Sequence, residues 1–261
     1  MVGGEGMRSM KSMTTVVLIS SCVLSGCATE TKDHAVKSSA EVTSVKPTKG
    51  QNEVEEILIK EPSIDADTPG KASVEQIQLT YKNGQTAVPT KDDILSETIL
   101  GQKAIVTLQS PEGPHHYIIL FYEQSDRWIL TGVLPATGPV TTERSDSRGL
   151  KLPFSTFTTN EMSWSDAEDA PITWTFAGKE SILTVSKLPQ QPMDSKPSEV
   201  VTLANGIEAY VHETKREASL FYQDGEQTVL LAGNVSVDRL KIIAASLPPV
   251  TSGSFPYGGT E

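Results

Sequence analysis

Cysteine is nearly missing from this chain: 261 residues hold two, Cys22 and Cys27. Two thiols so close together at the amino-terminal end cannot cross-link a domain that follows, so any core has to be built by burial. Histidine is scarce as well, with four residues at 34, 115, 116 and 212. No short stretch therefore carries the clustered Cys and His ligands of a transition-metal site. Basic residues are outnumbered, 22 Lys and Arg against 33 Asp and Glu, for a formal charge of −11. Phosphates need basic patches, so nucleic acid is excluded as a natural partner, and so is electrostatic docking on anionic lipid. The Gly-x-Ser-x-Gly elbow, the His-Glu-x-x-His helix, the phosphate-cradling glycine loop and the calcium-loop spacing are all lacking. The residues thus carry no signature of an enzyme, a metal site or a cofactor, and none of the three is expected.

What the chain does have is an address at its start. Val16-Val17-Leu18-Ile19 and Val23-Leu24 follow the basic residues Arg8 and Lys11. This is the pattern of a secretory signal, too short and too interrupted by Ser20, Ser21 and Ser25 to span a bilayer. It ends in Leu24-Ser25-Gly26-Cys27, which resembles the lipobox of bacterial lipoproteins. The resemblance implies diacylglyceryl transfer to the Cys27 thiol, cleavage after Gly26, and a lipid-anchored protein on the extracytoplasmic face of the cell membrane. The six residues before Met7 include Glu5, which opposes the basic start of a signal, and Gly3-Gly4-Glu5 can be encoded by a purine-rich ribosome-binding run. Translation is expected to begin at Met7. Without residues 1–26 the chain keeps 20 basic and 32 acidic residues, near −12.

Composition and periodicity divide the rest. Residues 27–71 are polar, with scattered Val, and read as a flexible tether. Its Thr, Ser, Lys, Ala and Glu-rich part, 28 to about 52, would hold a domain roughly 25–30 Å from its anchor. Order is expected from about residue 72. Ile77, Leu79 and Tyr81 alternate as in a half-buried strand before the turn Asn83-Gly84. Thr90-Lys91-Asp92-Asp93 before Ile94-Leu95 reads as a capped short helix. Three strands follow at 104–108, 117–122 and 128–134, completing a β-rich domain over 72–134. Turn residues fill 135–153, the expected linker. A second domain over 154–248 holds three hairpins: Ile172 to Val185, Val200 to Val211, and Ala218 to Ala232. Its closing helix carries Val237, Leu240, Ala244 and Leu247 on one face, ended by Pro248-Pro249. The tail 249–261 is expected to be disordered. The fold class is α+β, predominantly antiparallel β, as two small sheet-plus-helix domains.

Val201 to Val211, Leu220-Phe221-Tyr222, Leu230 to Asn234 and the helix Val237 to Leu247 resemble a known extracytoplasmic domain. That domain of unknown function occurs in Gram-positive anti-sigma-type membrane proteins and sporulation-associated lipoproteins. The resemblance implies a curved antiparallel sheet with a helix, and no catalytic residues. A second likeness is internal. Leu120-Phe121-Tyr122 with Trp128 to Gly132 echoes Leu220-Phe221-Tyr222 with Val229 to Gly233, which two hairpins of the same type can share by physics alone.

Four groups merit weighing as sites. His115-His116 would point to opposite faces of a regular strand, so packing is preferred to metal binding. Asp166, Glu168 and Asp169, with Asn160 and Glu161, are read as a solvated acidic loop rather than a calcium site. Trp164 and Trp174 are read as core rather than as a platform for a ligand, and His212 with Glu213 and Glu217 as strand-edge residues. Lipidation at Cys27 is the modification expected. The function expected is that of a lipid-anchored, non-enzymatic sensor, adaptor or regulatory module acting by contact with an unknown protein partner. A carrier of a lipid or other apolar ligand is the alternative.

Overall fold

The computed structural model describes residues 52–63, 65–165, 170–191, 199–214 and 217–258. These residues form one compact unit. Order begins earlier than composition suggested. Strand β1 is Val54–Ile59 and helix α1 is Pro69–Gln76, both inside the stretch expected to be a tether. Helix α1 starts by ordinary means: Thr68 accepts from the Lys71 N–H at 3.1 Å, and Pro69 stands where no donor is needed. Strands β2 (Ile77–Tyr81) and β3 (Thr86–Ala87) follow, joined at Gly84, whose φ of 79° is the left-handed value this turn requires. With β1 they form a three-stranded antiparallel sheet in the order β1-β2-β3.

The capping box at Thr90 and Asp93 is present, but the helix it opens is a single 3-10 turn, Lys91–Asp93. Ile94–Leu100 is strand β4 instead. Ser96, Thr98 and Leu100 are buried at alternate positions, so tertiary packing decides for the strand. Strands β5 (Lys103–Ser110), β6 (Gly113–Gln124) and β7 (Trp128–Thr137) complete a four-stranded antiparallel sheet in chain order. The continuous apolar run Ile118 to Phe121 has its explanation here, because both faces of the sheet are covered. Ile118, Leu120 and Tyr122 join the side chains of α1 and β2, while Tyr117, Ile119 and Phe121 join a layer on the other side.

That other layer is shared with a seven-stranded antiparallel sheet. Its strands are β8 (Thr158–Ser163), β9 (Ile172–Ala177), β10 (Ile182–Pro189), β11 (Glu199–Thr202), β12 (Glu208–Glu213), β13 (Ala218–Asp224) and β14 (Gln227–Gly233). Their order is β11-β12-β13-β14-β10-β9-β8, and the three expected hairpins are all present. Leu100, Ile105 and Phe121 from one sheet meet Ile182, Phe221 and Leu230 from the other. The stretch 135–153, expected to be a linker between domains, therefore joins two sheets that share a buried layer. Helix α2 (Val237–Ser246) covers the outer face of the seven-stranded sheet, with Leu240 and Ala244 fully buried there. The two echoing hairpins play matching parts: Phe121 and Phe221 point into the shared layer, while Tyr122 and Tyr222 point outward to α1 and α2 respectively.

The tail expected to be disordered is described as far as Gly258 and packs on the α2 side. Val250 and Phe255 are buried, and Tyr257 lies against the same core. Two aromatic rings within a Gly-rich segment supply the apolar area that composition averaged out.

Candidate functional site

Strand β1 pairs only with β2, and β7 only with β6, so each is the edge of its sheet. The two edges border one groove. Three hollows follow one another along it, of about 510, 590 and 620 Å³. At one end lie Ile59 and Pro62 from the β1 side and Trp128, Ile129 and Val133 from β7. Ile59 and Ile129 are 50% and 46% exposed, a large share for residues of their size. Arg127 and Glu61 meet across this end at 3.2 Å; both are well exposed, so the pair adds little stability.

The middle of the groove runs between Val54 and Ile57 on one side and Pro135 and Ala136 on the other. Glu53 and Lys82 form an ion pair there, each holding the other in its charged form. The far end contains His115 and His116. Here β6 is irregular: Ser110 lies opposite Gly113 but Gln109 lies opposite Tyr117, so 114–116 are extra residues relative to β5. The rule that neighbouring strand residues diverge does not hold for such a bulge. Both histidines border the same hollow, together with Asn52, Glu112 and Lys179.

Each imidazole is held by a different group. His115 donates from Nδ1 to the Lys179 carbonyl at 2.6 Å; a carbonyl can only accept, so in the neutral ring Nε2 is an acceptor. His116 Nδ1 lies 3.1 Å from Thr137 Oγ1. Burial lowers the His116 pKa, and the Glu53 carboxylate only partly restores it. The ring is thus neutral at pH 7 and acts by hydrogen bonding rather than by charge. Lys179 reaches this place because two glycines let the chains touch: a Cβ at Gly138 would stand 2.4 Å from the Gly178 carbonyl oxygen. Among the described residues no three His, Cys, Asp or Glu side chains gather as a metal would require.

The other candidates fall elsewhere. Trp164 and Trp174 lie on opposite faces of the seven-stranded sheet. Trp164 packs at a tilt against Phe121 in the shared layer, and Trp174 meets Phe255 on the α2 side, so together they form no platform. Glu161 accepts from the Trp174 indole at 2.8 Å. Asp166, Glu168 and Asp169 lie outside the described residues, as do Cys27 and His34. Glu217 does take part in the packing: its carboxylate accepts from the Glu97 N–H on β4, tying the β12–β13 turn to the four-stranded sheet. Burial raises its pKa, the Glu97 carboxylate adds to that, and the Glu97 N–H and His212 oppose it. The β1–β7 groove has no counterpart among the sequence expectations, because β1 falls within 27–71, the stretch whose polar composition reads as a tether.

No protein family, curated protein or solved structure matches the chain. Among the described residues no helix is long and apolar enough to cross a membrane.

Proposed function

We propose that the chain is a non-catalytic adaptor, tethered by lipid on Cys27, that binds an extended segment of a partner protein in the groove between β1 and β7. The observation that carries the reading is the pair of facing edges. Each sheet edge offers a row of backbone N–H and C=O groups, and a strand is the shape that satisfies such a row. Exposed Ile59 and Ile129 then give the partner's side chains something apolar to cover. His115 and His116 add neutral hydrogen-bonding groups at the far end. The carrier reading has less support, since the layers on both faces of the seven-stranded sheet are filled by aromatic and aliphatic side chains.

The test places a photoreactive amino acid at Ile129, and in parallel at Ile242 on the exposed side of α2, in cells producing the full chain. A discrete adduct from position 129, absent from 242 and lost when Ile59→Glu is added, supports the groove. Equal adducts from both positions, or none at 129, rejects it. The anchor is tested separately: Cys27→Ser should abolish incorporation of a fatty-acid analogue.

A further inference from the structure

The carboxyl-terminal segment crosses the outer face of the seven-stranded sheet without joining it. Residues 249–258 have no helix or strand, and Thr251, Gly253, Ser254 and Gly258 are exposed. Val250, Phe255 and Pro256 are buried beneath it and Tyr257 packs against the same core, with the two aromatic rings making the specific contacts. The Phe255 ring meets Trp174 edge-on at 5.4 Å, and the Tyr257 ring meets Phe176 in the same way at 6.1 Å. Phe154 and Phe157 continue the aromatic lining beside them, with centroids 6.0 Å apart. The ties to the rest of the molecule are few: the Val250 N–H donates to the Asp224 carboxylate at 2.9 Å, and the Gly258 N–H donates to the Arg148 carbonyl at 2.9 Å. Its other backbone bonds are internal: the Ser252 N–H donates to the Pro249 carbonyl, the Phe255 N–H to the Ser252 carbonyl and the Tyr257 N–H to the Ser254 carbonyl.

Arg148 closes over this arrangement. Its guanidinium carbon stands 3.6 Å from the Tyr257 ring centroid, a close cation–π stack. Arg148 is also the one non-glycine residue among those described with a left-handed backbone, at φ 46°. That conformation is costly for a residue with a Cβ, and such cost tends to be kept where a function requires it. Here the strained residue grips the segment twice, by side chain and by carbonyl.

We propose that the aromatic cleft formed by Trp174, Phe176, Phe154 and Phe157 is a binding site for a peptide bearing paired aromatic residues, and that the chain's own 249–258 segment is its resident, displaceable occupant. The segment fits the cleft as a ligand fits a receptor: two ring anchors, two backbone ties at its ends and a clasp. A competing aromatic peptide would bind only in proportion to the time the segment is away, so the occupied protein has a weakened apparent affinity.

The probe is a synthetic peptide of sequence 249–261, labelled at its amino end. It is added to the full chain and to the full chain carrying Phe255→Ala and Tyr257→Ala. The double variant is expected to melt cooperatively and to bind the peptide at least about tenfold more tightly than the natural chain, with a shift in Trp fluorescence as Trp174 regains an aromatic neighbour. A peptide with the same two alanines should not bind. Equal binding by both proteins, no binding by a folded double variant, or loss of cooperative folding in that variant would overturn the proposal. An independent check uses the natural chain alone. Amide hydrogens of Val250, Phe255, Tyr257 and Gly258 should exchange faster than those of β13 and β14, reporting a local opening. Protection equal to that of the core strands would show the segment to be ordinary core, and the proposal would fail.

Discussion

Glu217 shows how one residue couples the sheets to pH. Its carboxylate is half-buried and accepts from the Glu97 N–H, with the Glu97 carboxylate near enough to disfavour a second charge. A carboxyl whose folded pKa is raised above its ordinary 4.5 contributes stability that is fully present below that value. The contribution is lost as pH rises through the folded pKa. As pH rises above 4.5 the natural chain therefore gives up this contribution. Glu217→Gln keeps an acceptor for the Glu97 N–H and removes the charge, so it should raise the melting midpoint at pH 7 and have a shrinking effect as pH approaches 4.5. Thermal melts of both proteins across that range decide the matter; a difference that does not change with pH contradicts the assignment. His116 titrates in the other sense, since burial favours its neutral form and acidification must charge a ring packed beside Thr137.

At the scale of elements, helix α2 is the clearest link between sequence and stability. Leu240 lies at zero exposure in the same buried cluster as Leu220, Tyr222 and Leu231. Leu240→Ala should cost about 2–5 kcal/mol and lower the melting midpoint markedly. An unshifted midpoint would remove the helix from the core. This helix was legible because its apolar residues recur at helical spacing and Pro248-Pro249 stops it. The hairpins at Gly84, Gly206 and Gly225 were legible for a similar reason: each has a turn glycine with positive φ following Asn or Asp. Strand β1 was not. Of its six residues only Val54 and Ile57 turn inward, at a spacing of three, because the pairing with β2 slips between Val54 and Glu56. A bulged edge strand carries neither the period of two nor that of 3.6. The His115–His116 hollow was hidden by the same cause, a bulge that breaks the alternation on which the reading relied. Strand β8, Thr-Thr-Asn-Glu-Met-Ser, is polar because it too lies at an edge.

For the molecule as a whole, the decisive fact is the layer between the four-stranded and seven-stranded sheets. Ile105, Ile119 and Phe121 bury one side of it, and Ile182, Phe221 and Leu230 the other. A fragment ending near residue 145 would leave the first set in water, and one beginning there would do the same to the second. The four-stranded and seven-stranded sheets should therefore unfold in one cooperative transition, and neither half should fold alone. Calorimetry of the full chain, with circular dichroism of fragments cut within 138–149, tests this. Two separate transitions, or a half with a sharp melt of its own, would show that the sheets are independent after all.

Strand β1 is both a wall of the groove and the first element of the described chain. Where the protein is held from its amino-terminal side, as a lipid on Cys27 would hold it, any pull from the surroundings reaches β1 before any other described element. It is an edge strand fastened through a single ladder to β2, and its outward residues Glu55, Glu56, Leu58 and Ile59 contribute little grip. Tension would strip this wall while the shared layer beneath stays intact, so the grip on a docked segment would depend on how hard the tether is stretched. With a lipid on Cys27 and a segment docked as proposed, mechanical load on the anchor and occupancy of the groove would be two readings of the same strand.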